Sequence, residues 1–175
     1  MQNNYLESAK KQFVEARSLG KKAIEQVPEE KLSWQYNSES NSITMIVNHM
    51  VGNMLSRFTD FLTTDGEKSW RNRDKEFENE YPAKEELLAS WEKGWNCVFA
   101  SLEPLTSEDL LKTVVIRNEK HTVMEAINRQ LTHYAYHVGQ IVFLGKMICD
   151  QNWHSLSIPR GHSGQFNADK FSGRK

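Results

Sequence analysis

Four stretches of the chain repeat apolar or small side chains at alternating steps of three and four residues, and this helical rhythm is the feature that most limits what the chain can fold into. In the first, Leu6, Ala9, Phe13, Ala16, Gly20, Ala23 and Val27 form one stripe, which Pro28 ends. The second is capped by Asn41 or Ser42 and continues through Ile43, Ile46, Met50, Met54, Phe58 and Phe61 to the polar Thr64-Asp65-Gly66. The third follows Pro82 with Leu87, Leu88, Trp91, Trp95, Val98 and Leu102, and Pro104 lies just beyond its end. The fourth opens on Thr122 and Glu125, at capping-box spacing, and runs to about Cys149. Each stripe has to be covered by another, so the expectation is an all-α fold, a four-helix bundle in a single domain over residues 1–175.

The connections add detail. Gly66 to Pro82 is charged, holds Trp70, Phe77 and Tyr81 without a period, and is too long for a tight turn, so it reads as a long crossover. Thr113–Ile116, then Arg117 to Lys120 as the turn, then His121–Val123, reads as a small β-hairpin before the last helix. Residues 150–175 are rich in Gly, Ser and Asn and read as an irregular C-terminal tail, with Lys170, Arg174 and Lys175 as a solvated basic end.

Composition removes several function classes. A chain of 175 residues supports one core, and with 38 % hydrophobic residues and no apolar run near the roughly 18 that a spanning helix needs, no membrane partner is expected. Lys and Arg number 22 against 23 Asp and Glu, so no basic field favours nucleic acid. The polar start, Met1 to Lys11, lacks the apolar core of a secretory signal, which points to the cytosol. Cys97 and Cys149, far apart and outside any CxxC spacing, read as reduced, partly buried thiols.

Chemistry concentrates on the fourth helix. Its expected interior stripe is Ala126, Gln130, His133, His137, Ile141, Leu144 and Ile148, so two histidines one turn apart interrupt an apolar seam. Two readings are available: core histidines satisfied by backbone or by Tyr134 or Tyr136, or two ligands of one divalent ion. Unpartnered buried imidazole nitrogens cost about 1–3 kcal/mol each, and a metal ion would remove that cost. A third ligand is then needed from His49, His121, His154 or His162. His121 and His162 read as solvated, whereas His49 sits mid-helix on a stripe with Asn53, Ser56 and Asp60 that borders the apolar face. That stripe is equally readable as solvated. Tyr134 occupies the position where a zinc protease has its Glu, which excludes proteolysis.

His49 in Asn-His-Met-Val-Gly-Asn, followed far downstream by His133-Tyr-Ala-Tyr-His137-Val-Gly-Gln140, resembles the DinB/YfiT-like superfamily of metal-binding four-helix bundles. Arg57-Phe-Thr-Asp-Phe61, Asp65 to Asp74 and Leu156 to Gly161 resemble an uncharacterised branch of it. The resemblance implies that His49, His133 and His137 bind a divalent cation, zinc or nickel, leaving open positions. It also implies an activity: some relatives transfer low-molecular-weight thiols such as bacillithiol, and others resemble maleylpyruvate isomerases. The functional expectation is a cytoplasmic metal-dependent enzyme, a thiol S-transferase acting on small electrophiles, and its rival is a non-catalytic metal- or ligand-binding stress-response bundle. A homodimer is expected on the same likeness. Arg57, Arg71, Arg73 and Arg160 are candidates for an anionic substrate, against the alternative of surface arginines paired with Asp60, Asp65, Asp74 or Glu76. Trp70 and Trp153 are candidate pocket walls or core residues.

Overall fold

The structure, a computed structural model, describes residues 4–173; Arg174 and Lys175 of the basic end lie outside the described residues. The four expected helices form, as α1 (Asn4–Gln26), α2 (Ile43–Phe58), α3 (Lys84–Leu102) and α4 (Val123–Cys149). A two-stranded antiparallel hairpin, β1 (Thr113–Ile116) and β2 (Glu119–Thr122), precedes α4. The tail, expected to be irregular, carries a further helix, α5 (Ser163–Phe171), none of whose residues is buried. Among the described residues no helix is long and apolar enough to cross a membrane.

Local chemistry sets the boundaries. The Ser42 hydroxyl accepts from the Met45 N–H at 3.2 Å, which identifies Ser42 rather than Asn41 as the cap of α2. Thr122 and Glu125 make the reciprocal capping box at the start of α4. Helix α2 stops earlier than its apolar spacing suggested, because Thr59 turns extended and Asp60 takes a left-handed φ of 51°; Phe61 is still buried, delivered from the turn. The hairpin turn is shorter than the four residues read from the sequence. Arg117 and Asn118 alone make it, with φ of 55° and 63°, the signature of a type I′ turn whose twist matches the strands, and Glu119 pairs with Ile116.

Helix α1 packs chiefly on α4 and then α3, and α2 chiefly on α3 and then α4, so α4 and α3 each touch both of the others. The centre is aromatic: Phe13, Trp91, Trp95 and Tyr134 are all fully buried, with ring centroids 5.5 Å apart for Trp95 and Tyr134 and 5.6 Å for Trp91 and Trp95. Gly20 permits this, since a Cβ there would sit 2.7 Å from Trp91 Cη2. The buried face of α4 is rotated from the expected stripe: Ile127, Tyr134, Val138 and Gly145 join Ala126, Gln130, His137 and Ile141, leaving His133 at its edge. Helix α2 is buried nearly all round, so the polar stripe His49, Asn53 and Ser56 is inside and only Asp60 is solvated.

The crossover (residues 59–83) is pinned rather than loose. The Gly66 N–H donates to Val115 O at 2.7 Å, and the Asp65 carboxylate accepts from the Arg117 and Asn118 N–H groups at 2.9 and 2.8 Å. This hooks the crossover onto the hairpin turn, and a short 3₁₀ turn, Asp74–Phe77, then lies against α2.

Candidate metal centre

Helix α4 places His133 and His137 one turn apart, and α2 brings His49 against them. The ligand atoms of the three lie within 4.8 Å of one another, a group that could hold a metal ion. His133 Nε2 is the hub, 3.2 Å from His49 Nε2 and 3.1 Å from His137 Nε2. Nitrogens about 2.1 Å from a shared ion, at angles between octahedral and tetrahedral, stand about 3.0–3.4 Å apart, and both separations from His133 Nε2 fall in that range.

The outer nitrogens decide which tautomer each ring presents. His49 Nδ1 lies 3.0 Å from Glu76 Oε2, and a carboxylate can only accept, so Nδ1 carries the proton and Nε2 offers its lone pair. His137 Nδ1 lies 2.8 Å from Gln140 Oε1, and the same assignment leaves its Nε2 lone pair facing inward. Two converged lone pairs repel, and a single proton on His133 Nε2 can satisfy one at a time. A cation satisfies all three, which makes the donor set fit a metal better than it fits a hydrogen-bonded core.

The sequence offered Glu76 only as a surface partner for an arginine, yet it is buried and organises one side of the centre. Arg71 Nε and Nη2 donate to Glu76 Oε1 and Oε2 at 2.7 and 2.8 Å, a bidentate pair beneath the His49 contact. Burial would raise the Glu76 carboxyl, but the hydrogen bonds from His49 and Arg71 and the Arg71 charge outweigh it, holding the group below its ordinary range. Gly52 makes the space. A Cβ there would stand 2.7 Å from the Glu76 carboxylate carbon and overlap its oxygen. The only sequence signal for this was a glycine inside an apolar helix, three residues after His49.

Burial, then the charges of the neighbouring histidines and of Arg71 and Arg57, lowers His133 to about 3. Burial likewise lowers His137 to about 4, against the hydrogen bond to Gln140. Both rings are therefore neutral, ligand-competent imidazoles at physiological pH. The rings of Phe77, 5.0 Å from His49, and Tyr136, 4.0 Å from His137, wall the cluster.

Beside the cluster lies a pocket of about 260 Å³ whose walls include His49, His133, Asn53 and Gln130. Three of the four expected arginines, Arg57, Arg71 and Arg73, line it, and Arg117 of the hairpin turn and Arg129 of α4 join them. Arg160 does not. Cys149 lies 16 positions beyond His133, about 24 Å along α4 at 1.5 Å per residue, and the tail that follows is tied to the end of α1, where Gln26 bonds the His154 N–H and carbonyl. Trp70 is exposed, and Trp153 packs against Gly145, so neither walls this pocket. His121 is half-buried on β2, His154 and His162 are exposed, and none of the three joins the cluster. Both cysteines are free thiols outside it.

Fold and centre define the class: a helical bundle whose second and fourth helices bring three imidazoles together, two of which, His49 and His133, line an arginine-rich pocket. The chain belongs to the family described as protein of unknown function DUF1572, which matches residues 1–162, that is, all of the bundle and the hairpin but not α5. No curated protein matches it significantly.

Proposed function

We propose that the chain is a divalent-metal-binding bundle of DinB/YfiT-like type that acts as a metal-dependent enzyme, transferring a low-molecular-weight thiol onto a small electrophile. The observation that carries the reading is the convergence of three Nε2 atoms, two of them fixed as acceptors by Glu76 and Gln140. A zinc or nickel ion held by three neutral imidazoles would keep its full charge and, through open positions, acidify a bound thiol or water. The chain's own residues divide the remaining work. Arg71 keeps Glu76 ionised, Glu76 holds the His49 proton on Nδ1, and burial keeps His133 and His137 unprotonated. In the transfer the thiol proton passes to solvent water, the sulfur forms the new carbon bond, and the electrophile's leaving group departs with its electron pair.

A second reading, metal sequestration without turnover, draws on one observation. Glu76, the carboxylate nearest the cluster, is engaged by both Arg71 and His49, so no free carboxylate base is provided among the described pocket residues. A cytosolic location and a homodimer belong to the same proposal. The dimer draws on Tyr136, Phe143 and Met147, which leave an exposed apolar strip on α4, and light scattering after size exclusion tests it.

Metal content of protein purified without an affinity tag is the primary test. About one zinc or nickel per chain is expected, and His133→Ala should abolish it; a content near zero that added metal does not raise overturns the reading. Thiol consumption with an electrophile panel then separates the two readings. Metal-loaded protein should outpace His137→Ala, and equal rates favour the non-catalytic binder.

A further inference from the structure

The pocket beside the histidines is cationic beyond what its own carboxylates offset. Five guanidinium groups line it. Arg57 and Arg117 share one carboxylate, Glu67, and Arg71 takes Glu76, which leaves three positive charges uncompensated. Arg73 rests on the Phe77 ring, 5.0 Å away, with no carboxylate partner among the described residues, and Arg129 has no partner among them at all. Arrays of like charge in a confined space are unfavourable without a counter-ion, and a dication on the histidines would add to the excess.

Two further features show that something polar belongs there. Arg57 Nε, a donor, and Gln130 Oε1, an acceptor, are buried without a protein partner, and both residues line the pocket. No aliphatic side chain lines it among the described residues, and Tyr136 alone offers ring surface besides the two histidines. At about 260 Å³ the space stands at the small end of ligand pockets, too small for a nucleotide and suited to a compact metabolite.

We propose that this pocket binds a small molecule carrying two negative charges, a dicarboxylate or a phosphate monoester, gripped at the mouth by Arg73, Arg117 and Arg129. Planar guanidinium forks match either group bidentately, and two charges rather than one answer three uncompensated cations. The proposal deepens the metal reading and rests on it in one respect, that the far end of the bound dianion meets the histidine cluster.

Calorimetric titration of the full chain, with metal content measured on the same sample, provides the test. The probes are succinate and inorganic phosphate, with succinamide as the uncharged analogue of succinate. Binding is expected for at least one dianion and not for succinamide, and the tighter of the two identifies the anion class. Arg73→Gln and Arg129→Gln are both at exposed positions, so neither should disturb the fold; each should weaken dianion binding about tenfold, with metal content unchanged. Succinamide binding as tightly as succinate, or both variants keeping the parent affinity, overturns the proposal; the second result would mean that the anion is only a ligand of the metal. His133→Ala distinguishes the two levels: a metal-free protein that still binds the dianion through Arg73 and Arg129 upholds the anion pocket, even where the metal reading has failed.

Discussion

Two buried regions meet on α4 and obey opposite rules. The aromatic centre of Phe13, Trp91, Trp95 and Tyr134 gains by being dry, and each ring needs only neighbours of the right shape. The cluster of His49, His133, His137, Glu76 and Arg71 is nearly as enclosed, yet every member is polar and must be answered by a specific atom. Tyr134 belongs to both: its ring lies in the first region and its hydroxyl donates to Asn53 Oδ1 at 3.0 Å beneath the second. One region therefore holds the bundle together, and the other is held in place by the bundle at some expense of stability, as functional sites often are.

The sharpest way to break the comparison is from the dry side. Trp95→Ala should destabilise the fold by about 3–5 kcal/mol, seen as a large drop in the urea midpoint, and metal content should fall only with the folded fraction. Loss of metal from fully folded Trp95→Ala would show that the regions are not separable.

Next comes the polar side. Gly52→Ala places a methyl where the Glu76 carboxylate sits and should loosen its hold on His49, weakening metal affinity about 10- to 100-fold in a competition titration with a chelator. Glu76→Gln should do the same and also leave the Arg71 guanidinium, whose side chain is only 2 % exposed, without its counter-charge. Parent-like affinity in both would remove Glu76 from the centre.

Tyr134→Phe probes the shared residue. It keeps the ring and strands Asn53 Oδ1, so a loss of about 1–3 kcal/mol in stability is expected with metal affinity retained.

The reversible perturbation is pH. His133 and His137 are held to about 3 and 4 in the folded protein, below the 6.5 of an unfolded chain, so on acidification the unfolded state takes up protons first. Stability of the metal-free protein should be full above about pH 7 and decline as pH falls through 6.5 toward 4. Replacing both histidines by Ala should flatten that dependence, and an unchanged urea midpoint between pH 7 and 5 in the parent would contradict the burial assigned to these rings.

Much of the fold was legible because helical periodicity is local. Stripes three and four residues apart placed all four bundle helices, and the Thr122–Glu125 capping box placed the start of α4. Where local signals were weak, the reading missed: α5 has no buried stripe to betray it, and the hairpin turn depended on the left-handed φ of Arg117 and Asn118. The spacing of His133 and His137 likewise followed from their positions on one helix, whereas the solvated or buried state of His49 did not, since its stripe borders the apolar face.

The sequence by itself determined that there would be four amphipathic helices and that two imidazoles would rise from one face of the last, because both follow from 3.6 residues per turn. Only the tertiary structure decided that α2 is enclosed nearly all round, that His49 meets the pair on α4, that Glu76 reaches it through the gap at Gly52, and that Arg117 and Arg129 join the pocket in place of Arg160. These are contacts between segments remote along the chain, fixed by how helices and crossover pack, and no periodicity within a single segment encodes them.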